Sequence, residues 1–253
     1  MNPRTFFIAV LQLGLAGAVL LLSHYNYTWI AAVLVLGPTA ITWLGSGRNR
    51  HAFLLGSPSA VIGLSVVVLV GLNRPPVGQP VFAVGSQIAL TILYAAWLIW
   101  LRQLRLQSRT SLLVLAVQQF FATAAIFLAA AFWRWSEAVV VILIWGTIAG
   151  TTWWYLRVIG ERAAAIMAVS WALVAAEISW VLYAWQINYV IDTNVIIVPQ
   201  ATLILLGVGY CLASIYQTHT EKRLSRRRLI EYVAIAGVLL AIVIAGTRWN
   251  GTA

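Results

Sequence analysis

Charge is what this sequence most lacks. Only 9% of its 253 residues are Asp, Glu, Lys or Arg, against about 25% in a soluble globular domain. Hydrophobic residues make up 62% and mean hydropathy is +0.91, so a soluble fold is excluded. Cysteine is reduced to Cys211, which cannot close an internal disulfide, and there is no C-x-x-C or Cys/His cluster to hold a metal. Lysine is reduced to Lys222, outside every apolar run, which excludes a retinal-type Schiff base. His24, His51 and His219 stand in links or at edges, so neither a paired-histidine haem site nor a Ser/His/Asp or Cys/His nucleophile can be assembled from them. Walker, Rossmann and H-E-x-x-H patterns are missing. No catalytic residue, cofactor or metal is therefore expected. The polar residues left for an integral-membrane lipid enzyme are the scattered Glu137, Asp192, His24 and Glu231.

What is present is a run of apolar segments. Nine are legible: 6–22, 29–44, 52–71, 82–101, 111–133, 138–156, 163–185, 195–216 and 230–247. Most approach the roughly 20 residues a helix needs to cross about 30 Å of hydrocarbon. Lipid cannot hydrate a free backbone, so helices are the expected form and the fold class is all-α, a polytopic membrane protein. The second segment is short and contains Gly37-Pro38, which suits a kinked or re-entrant piece. No link is long enough for a soluble domain, and the chain is expected to form a single transmembrane domain.

The links test this map independently. With the N-terminus inside, thirteen of the sixteen basic residues fall on inner segments, leaving Arg74, Arg134 and Arg248 outside. That alternation predicts nine crossings with the N-terminus cytoplasmic and the C-terminus outside, in the plasma membrane. It also accounts for the net charge of +10 without a polynucleotide. The run Arg223-Leu-Ser-Arg226-Arg227-Arg228 abuts a span on the inner side, where basic residues anchor topology and touch anionic headgroups. Nucleic acid is not an expected partner; the bilayer is, with another membrane protein and a small-molecule or lipid ligand as the further candidates.

Glu177, within Ala-Ala-Glu177-Ile-Ser179-Trp180, is the residue that stands out. It lies about 12 Å from the outer end of its span at 1.5 Å per residue, where a carboxylate must be protonated, hydrated or paired. No predicted span contains a Lys, Arg or His to pair with it. By the same reckoning Gln200 lies about 8 Å deep, and Thr147 and Thr91 about 13 Å deep, so a polar layer around Glu177 is possible. Gln118 and Gln119 form a secondary polar position; adjacent residues point about 100° apart, so at most one easily faces a given groove. Three roles compete for Glu177: hydrogen-bonded structural glue, a solute, proton or cation site, and a contact with another protein's transmembrane segment. Glu137 is expected to serve the start of span six, with Ser136 as N-cap. The Gly146-Thr-Ile-Ala-Gly150 pattern is expected to serve packing inside the chain.

These features give two functional expectations. One is a protein that binds or moves a small or lipid-like solute through the polar layer around Glu177. The other is a noncatalytic assembly, scaffold or accessory subunit of a membrane complex.

Overall fold

The computed structural model describes residues 3–25, 27–45, 50–72, 80–103, 108–185, 188–191, 196–222, 225–227, 230, 232–234, 237 and 241. Eight helices are complete: α1 (Pro3–His24), α2 (Thr28–Gly45), α3 (Arg50–Leu72), α4 (Pro80–Gln103), α5 (Ser108–Trp133), α6 (Glu137–Val158), α7 (Ala164–Trp185) and α8 (Gln200–Thr220). Five of the helices, α4 to α8, contain stretches long and apolar enough to cross a membrane. Most of the predicted ninth span lies outside the described residues, as do Arg48, Arg74 and Asp192. The helix α2 runs through Gly37-Pro38, so the second span is helical along its length.

Two findings differ from the sequence map, and both concern the entry to α8. Between α7 and α8 the chain forms a short antiparallel hairpin, β1 (Asn188–Ile191) with β2 (Ile196–Pro199), pairing Asn188 with Pro199 and Ile191 with Ile196. The eighth span was placed from Val195, but Ile196 to Pro199 are strand and α8 begins at Gln200. The reason is local: Ile196-Ile-Val is β-branched, and Pro199 biases the residue before it to extended backbone. Pro199 itself is the N-cap, with φ −64° and ψ 132°.

The described chain falls into two compact units. The first comprises residues 1–106 and 124–135. Here α2 packs on α3, and α1 packs on α2, α3 and α4. Its apolar centre includes Val19, Ala31, Val35 and Val67, flanked by Leu22 and Leu34. Gly63 of α3 sits where no side chain fits, because a Cβ there would lie 2.6 Å from the Tyr94 hydroxyl and 2.6 Å from Val35 Cγ1. A polar clamp closes one end: His24 Nδ1 and Gln87 Oε1 are 2.9 Å apart, while Gln87 Nε2 donates to the Val70 carbonyl at 3.3 Å. Gln87, 3% exposed, thereby joins α1, α3 and α4.

The second unit comprises residues 107–123 and 136–253. Its dominant element is the antiparallel α6–α7 hairpin. The inward face of α7 is Ala164, Ala168, Ala172, Ala175, Ala176 and Ser179, all buried. Small residues at this spacing let two backbones approach closely, and α6 answers with Val140, Ile144, Ile148 and Thr151. The hairpin turn is a Schellman motif. Glu161 N–H donates to the Leu156 carbonyl and Gly160 N–H to the Arg157 carbonyl, with Gly160 at φ +85° as the residue that tolerates the left-handed conformation.

Candidate functional site

The α6–α7 hairpin buries one face of each helix and, among the described residues, leaves the other exposed. On α7 the uncovered stripe runs through Ile166, Ser170, Leu173, Glu177, Val181 and Ala184, at the i, i+3, i+4 spacing of a single helical face. It lies opposite the alanine face. Ile166 is 74% exposed and Leu173 54%. Glu177 sits in the middle of this stripe, exposed, and makes no hydrogen bond or ion pair among the described residues.

One turn further along α7 the polar chemistry is settled. Trp180 Nε1 donates to Glu137 Oε2 at 2.9 Å, tying the end of α7 to the start of α6. Glu137 stands in the first turn of its own helix, as expected, and its carboxylate also accepts from across the hairpin. Ser136 does occupy the N-cap position, at φ −67° and ψ 149°, but without a side-chain cap bond. Its carbonyl accepts the Val139 and Val140 N–H groups.

The glycine pattern of α6 was expected to serve packing inside the chain. A Cβ at Gly146 or at Gly150 would meet nothing within 4 Å. Both glycines lie on the exposed stripe of α6 with Val139, Ile142 and Leu143, so among the described residues the pattern makes no close packing contact. The close approach is made on α7 by alanines, where a 3.6-residue repeat of small side chains does the same work.

The buried polar residues form a different set. Gln119, 3% exposed, donates through Nε2 to Thr152 Oγ1 at 3.3 Å and to Thr151 Oγ1 at 3.5 Å. Thr151 also donates to the Thr147 carbonyl at 2.8 Å, and Thr123 to the Gln119 carbonyl at 2.7 Å. Gly209 of α8 gives the Gln119 amide its room, since a Cβ there would lie 3.0 Å from Gln119 Oε1. Gln118 is buried as well, at 1%, and neither atom of its amide has a partner among the described residues. Both glutamines lie in the apolar stretch of α5, where 61% of the residues are buried, the highest share of the five spans.

The predicted site residues are therefore distributed as follows. Gln119 meets Thr151 and Thr152, while Thr147 is half-buried and contributes its carbonyl to that group. Gln200 is buried at the first residue of α8 rather than a turn and a half into it. Thr91 belongs to the first unit, where its hydroxyl donates to the Gln87 carbonyl at 2.8 Å. Glu177 stands apart on the uncovered stripe. Gln87 was missed in the sequence because a single amide in an apolar span has no pattern; the signal was a lone long polar side chain about 8 Å from a span end, the same signal that singled out Gln200.

Replacing Gln119 with Leu should lower stability by about 1 kcal/mol, in the range measured for interhelical hydrogen bonds in membranes. Thermal unfolding of Gln119→Leu in detergent checks this, and an unchanged midpoint would show that the group carries no packing role.

At the opposite end of the hairpin, Glu161 accepts from the Tyr216 hydroxyl and, at 3.0 Å, from the Ala163 N–H. The Tyr216 bond first, then the Ala163 bond, hold its carboxyl below the ordinary value of 4.5. A depressed folded-state pKa stabilises the fold above the ordinary carboxylate value, and that contribution is lost as pH falls through the depressed value. The thermal midpoint of the parent should thus exceed that of Glu161→Ala at neutral pH, with the gap closing on acidification below 4.5. A gap independent of pH would remove the carboxylate from the account.

Among the described residues, no group of three His, Cys, Asp or Glu side chains converges as a metal site would. Comparison with known proteins finds no family model, curated protein or solved structure that matches the chain.

Proposed function

We propose that the chain is a noncatalytic assembly or accessory subunit of a membrane complex, offering the uncovered face of α7 to another protein's transmembrane segment. One observation carries the reading: the carboxylate deepest within a span, Glu177, lies on an exposed apolar stripe and not in the interior. A solute pathway requires such a group to face a cavity or the bundle centre, whereas a contact between proteins requires it to face outward. In the same proposal the chain crosses the plasma membrane nine times, with its N-terminus cytoplasmic and its C-terminus outside; the distribution of basic residues supports the count and the orientation.

The test is purification in mild detergent at near-native expression. The proposal expects a second membrane protein in roughly stoichiometric amount. Recovery of the chain alone, together with solute uptake by proteoliposomes containing nothing else, would reverse it.

The second reading, binding or transport of a small or lipid-like solute, has one observation in its favour. Gln118 is a buried amide with both atoms unpaired among the described residues, next to the Gln119 group. Gln118→Leu separates the two readings: it should abolish uptake if that amide binds solute and leave complex formation intact if it does not.

A further inference from the structure

The uncovered face of α7 has properties that narrow what covers it. Of the residues in its apolar stretch 28% are buried, the lowest share among the five spans long and apolar enough to cross a membrane. The stripe is apolar on both sides of Glu177, with Leu173 on one and Val181 on the other. Lipid chains satisfy those residues but not the carboxylate. Nor does Glu177 readily reach water past the end of the helix. In an α-helix the Cα–Cβ bond tilts toward the N-terminus, so Glu177 leans toward the Leu173 turn and away from the Trp180 end.

Resting on the assembly reading above, we infer that this stripe receives one transmembrane helix of a different protein, carrying an arginine at the level of Glu177. Charge complementarity makes the choice. A carboxylate held in hydrocarbon needs a cation or strong donors, and none of the predicted spans of this chain supplies a basic residue. A second copy docking through the same face would set Glu177 against Glu177, and like charges at close range in hydrocarbon oppose that pairing. A bare metal cation needs several oxygen ligands, and the other carboxylate at this end of the hairpin, Glu137, is engaged by Trp180.

Arginine is favoured over lysine by the neighbouring indole. Trp180 is 57% exposed, lies three positions from Glu177 on the same side of α7, and is fixed by its bond to Glu137. A guanidinium paired in two-point fashion with Glu177 can lie over that ring at the same time, which a compact ammonium does less well. The expected partner is thus an apolar span with one arginine in the half of the membrane where Glu137 and Trp180 meet. Small residues beside the arginine would let it pass close to Ser170 and Ala184.

The experiment places photo-crosslinking residues in native membranes at Leu173 and Val181 on α7, and at Ile142 and Leu143 on α6 for comparison. The inference expects adducts from the α7 positions to a span with an intramembrane arginine, and at least a ten-fold loss of co-purification with Glu177→Arg. Changing the partner's arginine to glutamate should restore the complex with Glu177→Arg. Recovery of a partner without that reciprocal rescue overturns the inference. Adducts from α6 alone, with an intact complex in Glu177→Arg, overturn the α7 site while leaving the assembly reading in place. Adducts to a second copy of the chain overturn the choice of occupant. A chain recovered free of any partner, without adducts at any position, removes both. Glu177→Gln, which keeps the side-chain shape, is measured for folded yield and co-purification alongside. If Glu177→Arg fails to fold, retention of the complex by Glu177→Gln overturns the inference and its loss supports it.

Discussion

Glu177→Leu should leave the isolated chain at least as stable as the parent while abolishing its association with a partner span. The two effects separate because Glu177 has no partner among the described residues and faces outward from a hairpin whose contacts lie on the opposite side of α7. On insertion scales Leu is favourable by about 0.3–0.6 kcal/mol at a span centre while an acidic residue costs about 2.5–3.5 kcal/mol. Glu177 lies off centre, so a smaller gain of about 1–2 kcal/mol in the isolated chain is the reasonable expectation. Thermal unfolding in nanodiscs reads the first effect and co-purification from native membranes the second. Structural glue predicts the reverse. If the carboxyl were internally bonded, Glu177→Leu would lower the midpoint as Gln119→Leu does, and the loss of association would be a consequence of misfolding.

Gly63→Ala should be among the most damaging single substitutions in the first unit. The added Cβ would stand 2.6 Å from both the Tyr94 hydroxyl and Val35 Cγ1, and those neighbours are 2% and 3% exposed. Neither has free space to move into, so overpacking of about 1–3 kcal/mol is expected, despite the better helix propensity of alanine. Gly17→Ala is the control, because a Cβ there meets nothing within 4 Å. It should be neutral or slightly stabilising. Adding Tyr94→Phe to Gly63→Ala removes the hydroxyl clash and leaves the Val35 clash and the ring carbon Cζ at 3.0 Å, so a partial recovery is expected from the double variant. Equal midpoints for Gly63→Ala and Gly17→Ala would show that α3 does not approach α2 and α4 as closely as described.

Much of the helical layout was readable from hydropathy alone. Span six was placed at 138–156 and the helix is Glu137–Val158; span seven was placed at 163–185 and the helix is Ala164–Trp185. A helix that is apolar all round announces its position along the sequence, because lipid and protein neighbours demand the same residues. For that very reason it does not announce its rotation. Glu177 and Gln119 look alike in sequence, long polar side chains in apolar spans, yet one faces outward and the other inward. The deciding residues were the alanines: Ala164, Ala168, Ala172 and Ala176 mark the packed face of α7, and Glu177 lies opposite. The glycines of α6 mark a surface for close approach without saying whose helix approaches, and none of the described residues does. Gln200 opens α8 and does not lie five residues into it because Ile196 to Pro199 is as apolar as a helix end, and hydropathy does not separate a strand from a helix over so few residues.

The most direct test of the central claim is the lipid accessibility of the α7 stripe. In a Cys211→Ala background, spin labels on Leu173→Cys and Val181→Cys, with Ile142→Cys on α6 for reference, report oxygen collision rates in bilayers. The account predicts high rates at both α7 positions in the isolated chain and a marked fall at both in the complex taken from native membranes. Low rates at Leu173→Cys and Val181→Cys in the isolated chain, or high rates that persist in the complex, would contradict it.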